Sequence, residues 1–160
     1  MKQIKLSITL CTVVLMMSQC RIHPEINYSI RIKNNYNTDI FYHYNFSPVE
    51  KENDVIYPDT TISFVKDCLV RVKQGSTFID NMPLHPIEKW ISDLPQDTLS
   101  IYIFDKDTLN KYEWNEIQRY YKVLIRYDLS VDDVKLLKEE IPYPPTEMMK
   151  GMKMYPLFGQ

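Results

Sequence analysis

The sequence predicts an α+β domain, with a mainly antiparallel, sandwich-like β-sheet and about three short helices in the C-terminal half. Residues 28–79 contain several short segments in which apolar and polar residues alternate, the period of two expected of half-buried strands. Helical spacing is confined to later residues, where it lies between further strand patterns. A doubly wound parallel sheet is excluded, because residues 28–79 show no regular alternation of strand and helix.

The opening of this region predicts a β-hairpin. Apolar and polar residues alternate over 28–33 and over 40–46, and the asparagine-rich segment 34–37 between them favours a turn. Weaker strand patterns follow at 60–65, 68–72 and 77–79.

The C-terminal half alternates helices with strands. Apolar residues from Ile87 to Leu94 have helical spacing, and Pro95 ends that helix. The run 99–104 is apolar on both faces, which predicts a central strand covered on both sides. Later segments predict, in order, a short helical turn after Asp105, a helix at 114–121, a strand at 123–127, a helix capped by Ser130 and Asp133, and an edge strand at 141–143.

Length and composition fit a single domain, which we place at residues 28–145, followed by an irregular, loosely packed tail at 146–160. The chain has 160 residues, of which 44% are hydrophobic and 25% are charged, as is typical of a globular protein. The net charge is −2 and the sequence contains no long basic run, so nucleic acid is excluded as the main partner.

Residues 1–19 have the features of a signal peptide. Lys2 and Lys5 precede a mostly apolar segment, 6–17, whose length lies within the ~7–15 residues of a signal-peptide core and below the ~20 of a spanning helix. Cys20 follows the apolar segment, and a cysteine in this place resembles the lipobox of bacterial lipoproteins. In those proteins the peptide is cleaved before the cysteine, which is then acylated. Residues 20–27 then form the lipidated cysteine and a short tether.

Two alternatives stay open for this segment. Cleavage by the ordinary signal peptidase leaves Cys20 as a free thiol, which can form a disulfide with Cys68 in an oxidising compartment. An uncleaved anchor is disfavoured because the apolar segment is short. If Cys20 is acylated, Cys68 has no intramolecular partner and is predicted to be a small, buried apolar side chain.

The segment DTLSIYIFDKDTLNKYEWNEIQRYYKVLIRYDLS, residues 97–130, resembles a group of small uncharacterised lipoproteins of gut Bacteroidales. That group shares a strand ending in FDKDTL, a Trp-containing helix and a strand of the RYDLS kind. Residues 30–44 and the Tyr-Pro-Pro at 143–145 resemble the group as well. Gln19 departs from it, because the group usually has a small residue before the cysteine.

The resemblance implies attachment to the outer membrane through acyl chains, palmitate among them, on Cys20. It implies no activity. Surface-exposed lipoproteins of these bacteria often carry an acidic run just after the cysteine, whereas residues 21–25 contain one acid, Glu25. The resemblance therefore favours the periplasmic face over the cell surface.

The sequence predicts no catalytic residue, no metal ligand and no cofactor. His23, His43 and His85 are isolated, without a second His or Cys at a metal-ligand spacing. Asp105 and Asp107 fit a turn and helix cap better than a calcium site, which needs more oxygen ligands. Nucleophile motifs and glycine-rich phosphate loops are absent from the sequence.

The 12 tyrosines are the unusual feature of the composition. Tyr42, Tyr44 and Tyr102 are candidates for a ligand-binding face, because tyrosine joins apolar area to a polar tip. The alternative is that they occupy strand positions where aromatic residues are favoured.

The sequence favours a lipid-anchored, non-enzymatic interaction or structural module of the cell envelope, with an envelope protein or glycan as partner. The alternatives are a glycan- or small-ligand-binding lipoprotein and, lastly, an envelope hydrolase.

Overall fold

The described part of the chain is a mixed α+β structure, which confirms the predicted fold class. The computed structural model describes residues 28–44, 62–82 and 86–160, and these ranges contain eight strands and four short α-helices. The strands are β1 (Tyr28–Asn34), β2 (Ile40–Tyr44), β3 (Val70–Val72), β4 (Thr77–Met82), β5 (Leu99–Asp105), β6 (Ile125–Leu129), β7 (Glu140–Tyr143) and β8 (Lys153–Tyr155). The helices are α1 (Ile87–Ser92), α2 (Lys106–Lys111), α3 (Trp114–Arg119) and α4 (Val131–Leu136), and 3-10 turns occupy Lys66–Cys68, Pro95–Asp97 and Glu147–Met149.

The strands form two sheets. The smaller sheet has the strand order β4-β1-β7 and the larger has the order β3-β2-β5-β6-β8. Neighbouring strands are antiparallel, except that β1 and β7 are parallel. Buried side chains of both sheets, among them Ile32, Ile101, Tyr127 and Ile141, form one apolar core, to which α1 and α4 also contribute.

The larger sheet is covered on both faces. Ile101 and Ile103 of β5 belong to the core shared with the smaller sheet, whereas Tyr102 and Phe104 pack in a second apolar cluster on the opposite face. Helices α2 and α3 contribute buried residues to this second cluster. The prediction that residues 99–104 form a central strand covered on both sides is confirmed, since β5 is the middle strand.

The predicted β-hairpin is wrong, because β1 and β2 lie in different sheets. The chain turns a corner after Asn34, whose buried side-chain amide donates hydrogen bonds to the carbonyl oxygens of Thr38 (2.8 Å) and Val72 (3.1 Å). Its side-chain oxygen accepts from the backbone N–H of Tyr36 at 2.9 Å. These bonds fix the corner. The alternation of apolar and polar residues therefore located both strands correctly, but it did not identify the strands with which they pair.

The strand predicted at 60–65 is also wrong for its described residues, 62–65, which adopt no strand. Side chains of α3 take the place of a neighbouring strand, because they bind the backbone carbonyl groups of this segment. Gln118 Nε2 donates to the carbonyl oxygen of Ile62 at 2.7 Å, and Trp114 Nε1 donates to that of Phe64 at 3.2 Å. The segment lies against the second cluster, in which Ile62 is buried.

The helices are short and capped as the sequence indicates. Ser130 and Asp133 form a reciprocal capping box at the start of α4, and Asp105 accepts the backbone N–H of Thr108 at 2.7 Å at the start of α2. Asp105 therefore caps a full short helix, which raises the number of helices from three to four. Each of the four spans six residues, and within the described ranges no helix is long and apolar enough to cross a membrane.

The tail predicted to be irregular and loosely packed is instead part of the core. Residues 153–155 form β8, which pairs with β6 at the edge of the larger sheet. Met149, Met152 and Met154 are buried in the apolar core. The prolines and methionines of the tail form no periodic pattern in the sequence, so the sequence does not reveal its burial. Methionine side chains are flexible and fill irregular gaps in a core well.

Two adjacent methionines test the packing of the tail. Met149 is 0% exposed and Met148 is 58% exposed. We expect Met149→Ala to lower the free energy of unfolding by about 2–5 kcal/mol through loss of burial and creation of a cavity. The matched control Met148→Ala should change it by less than about 0.5 kcal/mol. Urea denaturation measures both, and equal effects of the two substitutions would show that the tail is not core.

Candidate functional site

A cavity of about 200 Å³ opens where β2, the start of β3 and β4 meet. It lies between the larger sheet, which supplies β2 and β3, and the smaller sheet, which supplies β4. Its walls combine aromatic rings with one carboxylate. The lining residues are Tyr42, His43, Tyr44, Cys68, Val70 and Asp80.

Two tyrosine hydroxyls converge on the carboxylate of this cavity. Tyr44 donates a hydrogen bond of 2.6 Å to Asp80 Oδ2, and Tyr42 donates one of 3.3 Å to the same oxygen. Tyr42 and Tyr44 share one face of β2 because side chains alternate along a strand. Asp80 comes from β4, so the two bonds also join the sheets.

The tyrosine hydroxyls of this site stay protonated at neutral pH. Burial, reinforced by the nearby charge of Asp80, raises the pKa of both Tyr42 and Tyr44 well above the usual value for tyrosine. The hydroxyl groups can therefore act as hydrogen-bond donors. They are unsuited to act as bases or nucleophiles, which requires the deprotonated form.

His43 and Cys68 form the rim of the cavity. His43 Nδ1 lies 3.3 Å from the backbone carbonyl oxygen of Cys68, and the His43 ring packs against Phe64 with 4.0 Å between centroids. Cys68 is a free, exposed cysteine, so the prediction that it is buried is wrong. The strand pattern does not extend to Cys68, because residues 66–68 form a 3-10 turn and β3 begins only at Val70.

The third predicted tyrosine does not belong to this cavity. Tyr102 lies on the opposite face of the larger sheet, where its ring contacts Phe64 edge-on at 5.3 Å. Tyr42 itself is fully buried, and its ring packs against Phe78 at 5.9 Å. The predicted face of Tyr42, Tyr44 and Tyr102 is therefore not one surface. Cys20, His23 and His85 lie outside the described residues.

Sequence reasoning missed Asp80, which is the chemical centre of the cavity. One signal could have revealed it. Asp80 follows Phe78 at a spacing of two, so it lies on the same face of its strand, and an acidic residue on an inward face needs partners. The sequence does not indicate that these partners are the hydroxyls of Tyr42 and Tyr44.

A second cavity, of about 300 Å³, has a different charge. Its apolar residues are Phe41, Leu69 and Leu109, and its rim carries two ammonium groups and one carboxylate, contributed by Lys66, Lys106 and Asp67; Asn110 completes it. Lys66 Nζ donates a hydrogen bond of 3.0 Å to the carbonyl oxygen of Leu109. Within the described ranges, no three His, Cys, Asp or Glu side chains are grouped so that they could hold a metal ion.

A buried ion pair lies on β6 of the larger sheet. Arg126 Nε donates to Asp128 Oδ2 at 2.9 Å, and Arg126 Nη1 donates to the hydroxyl oxygen of Tyr121 at 2.7 Å. Ser100 Oγ donates to Asp128 Oδ1 at 2.7 Å. Hydrogen bonds to both charged groups offset part of the desolvation free energy that burial of an ion pair costs. No cavity described above reaches this network, so we treat it as structural.

The buried tyrosines predict that the protein loses stability in alkali. Burial raises the pKa of Tyr143 to about 12, and it also raises the pKa of Tyr127, Tyr42 and Tyr44. In the unfolded chain tyrosine titrates near pH ~10, so the folded state holds these protons longer than the unfolded state does. The stabilisation is therefore complete below about pH 10 and is lost as pH rises above it.

We expect the free energy of unfolding to fall above pH ~10 by up to about 1.4 kcal/mol per pH unit for each buried tyrosine. Tyr127→Phe removes one titrating group, so its stability should decline less steeply with pH than that of the wild type. Urea denaturation at pH 9, 10 and 11 measures both slopes. A wild-type stability that does not change over this range would contradict the prediction.

The chain was also compared with known proteins. No family model, no curated protein and no solved structure matches it.

Proposed function

We propose that this protein is a lipid-anchored, non-enzymatic binding module of the cell envelope, which holds a small polar ligand in the cavity between its sheets. One observation carries the proposal: the hydroxyls of Tyr42 and Tyr44 converge on Asp80 in the wall of an open cavity. Small-ligand sites typically combine apolar and aromatic walls with a few polar groups that fix the orientation of the ligand.

The size and chemistry of the cavity support a ligand group of about one ring. Its volume of about 200 Å³ is below the ~300–1,000 Å³ of sites for drug-sized molecules. Tyr44 and His43 are half-buried and present ring surface as well as polar atoms. A terminal sugar or a small amine has suitable dimensions and can donate hydrogen bonds to the carboxylate.

The protonation of the site supports binding over catalysis. The raised pKa values of Tyr42 and Tyr44 keep both hydroxyls protonated, and both already donate to Asp80 Oδ2. General acid–base catalysis requires a group whose pKa lies near the working pH. These hydroxyls are better suited to hold Asp80 in a fixed position.

The anchor is proposed from the sequence. Cleavage before Cys20 and acylation of Cys20 leave residues 21–27 as the tether, which spans at most ~25 Å when extended. β1 begins directly after the tether, and Ile30, near its start, pairs with Asp80. The cavity would then lie at the end of the domain nearest the membrane. We place the protein at the outer membrane, on its periplasmic side.

A second candidate function is the binding of an envelope protein. Within the described ranges, β4 pairs only with β1, so its other edge is open, and Ile79 on this strand is 56% exposed. An open edge strand can add an extended segment of a partner through backbone hydrogen bonds. This candidate corresponds to the interaction module that the sequence favours.

The anchor is tested by the intact mass of the mature protein extracted from membranes. We expect a mass equal to residues 20–160 plus acyl chains, because the lipobox-like segment directs cleavage before Cys20. The variant Cys20→Ala should lose both the acyl mass and the membrane association. An unacylated wild-type protein would overturn the proposed anchor.

The cavity is tested through Cys68, which lines it and is exposed. If Cys20 is acylated, Cys68 is the one remaining thiol of the mature chain, because Cys11 leaves with the signal peptide. We expect N-acetylglucosamine or choline, whichever occupies the cavity, to slow alkylation of Cys68 by iodoacetamide in a saturable way. The readout is the rate of mass increase.

Two valine variants provide the control for this experiment. Val70 lines the cavity, so Val70→Trp should fill it and abolish the ligand-dependent protection of Cys68. Val65 is 60% exposed and does not line the cavity, so Val65→Trp should leave the protection unchanged. If neither probe slows alkylation in the wild-type protein, the cavity is not the proposed binding site.

A further inference from the structure

The lining of the cavity between the sheets carries a negative charge. Asp80 is its one carboxylate, and among the described lining residues there is neither a lysine nor an arginine to balance it. Both tyrosine hydroxyls bind Oδ2 of Asp80. Within the described ranges Oδ1 accepts no hydrogen bond, which leaves this oxygen to accept one from a ligand.

The aromatic rings around Asp80 add to this preference for positive charge. The rings of Tyr42 and Tyr44 are stacked with centroids 6.0 Å apart, and those of His43 and Tyr44 are stacked at 6.3 Å. Trp90 of α1 does not line the cavity but contacts Tyr44 edge-on at 5.7 Å, which supports the position of the Tyr44 ring. The face of an aromatic ring attracts an organic cation through its quadrupole, and desolvation strengthens the attraction.

We propose that the cavity between the sheets recognises an organic ammonium group, primary or quaternary, which contacts Asp80 Oδ1 and the aromatic rings of Tyr44 and His43. This inference rests on the proposed binding function and specifies its ligand class. The second cavity has the opposite preference, because Lys66 and Lys106 at its rim repel a cation.

A pair of ligands of nearly equal shape tests the role of charge. Choline carries a quaternary ammonium group, and 3,3-dimethyl-1-butanol has the same shape with a neutral carbon in its place. The affinity of each is measured with the mature protein from the concentration that halves the alkylation rate of Cys68 by iodoacetamide, which is itself uncharged. We expect choline to bind at least about fivefold more tightly than the neutral alcohol.

Two aspartate variants locate the effect. Asp80→Asn keeps an oxygen that accepts the tyrosine hydrogen bonds but removes the charge, so the preference for choline should fall to within about twofold. Asp67→Asn removes a carboxylate from the rim of the second cavity, and the preference should persist. Circular dichroism checks that both variants fold. The comparison of the two ligands in the wild-type protein needs no variant.

An ammonium group can come from a free amine or from a lipid headgroup, and two further arms distinguish these sources. Free choline tests the first source. Reconstitution of the mature protein in phosphatidylglycerol vesicles with or without phosphatidylethanolamine tests the second. Slower alkylation of Cys68 in one arm identifies the source, and protection by free choline supports the inference when it exceeds protection by the neutral alcohol.

The possible failures have separate meanings. Equal affinity for choline and its neutral analogue, or an equal loss of preference in Asp67→Asn, would overturn the assignment of an ammonium ligand. Protection of Cys68 by N-acetylglucosamine with none by choline would also overturn it, while leaving the proposed binding function intact. Absence of protection by every probe would overturn both.

Discussion

The arrangement of the two sheets depends on hydrogen bonds that tyrosine hydroxyls of the larger sheet donate to the smaller one. Tyr42 and Tyr44 donate to Asp80, and Tyr127 donates to the carbonyl oxygen of Pro142 at 3.0 Å. Most of the interface between the sheets is apolar, and apolar contacts do not define a single relative position. A hydrogen bond to a charged acceptor is directional, and a short one such as the 2.6 Å bond of Tyr44 contributes about 1.5–3 kcal/mol. The bond of Tyr42 is longer, at 3.3 Å, and therefore weaker. They also leave the two tyrosine hydroxyls and Oδ2 of the carboxylate paired, which offsets part of the cost of burying them.

The other end of the same interface is fixed by Asn34. This residue is buried at the corner between β1 and β2, and its side-chain amide binds the carbonyl oxygen of Val72 in the larger sheet. Polar contacts at Asp80 and at Asn34 therefore join the sheets at separate places, with apolar side chains such as Ile32 in the same core. The corner places β1 and β2 in separate sheets. A cavity can therefore open between the two sheets, at the end where Tyr44 and Asp80 meet.

The sequence was informative about local patterns and much less so about partners. Strand β5 was predicted correctly because an apolar run is a property of neighbouring residues. The corner at Asn34 was not, because its hydrogen bond to Val72 joins residues 38 positions apart. For the site, residue type alone selected Tyr42 and Tyr44, whereas Asp80 could not be assigned as their acceptor without the pairing of β1 with β4. The same lack of tertiary information grouped Tyr102 with tyrosines on the other face.

The two oxygens of Asp80 would allow one side chain to serve both the structure and the proposed binding without conflict. Oδ2 accepts the tyrosine hydroxyls and belongs to the interface between the sheets. The proposed ligand, bound to Oδ1, would leave these bonds in place, so its binding would require no relative movement of the sheets. Because the tyrosines also hold the carboxylate in position, the proposed site would be organised before the ligand arrives, and preorganisation lowers the entropy lost on binding. The arrangement lowers the free energy of unfolding to some extent, because folding must desolvate the hydroxyl of Tyr42 in the core.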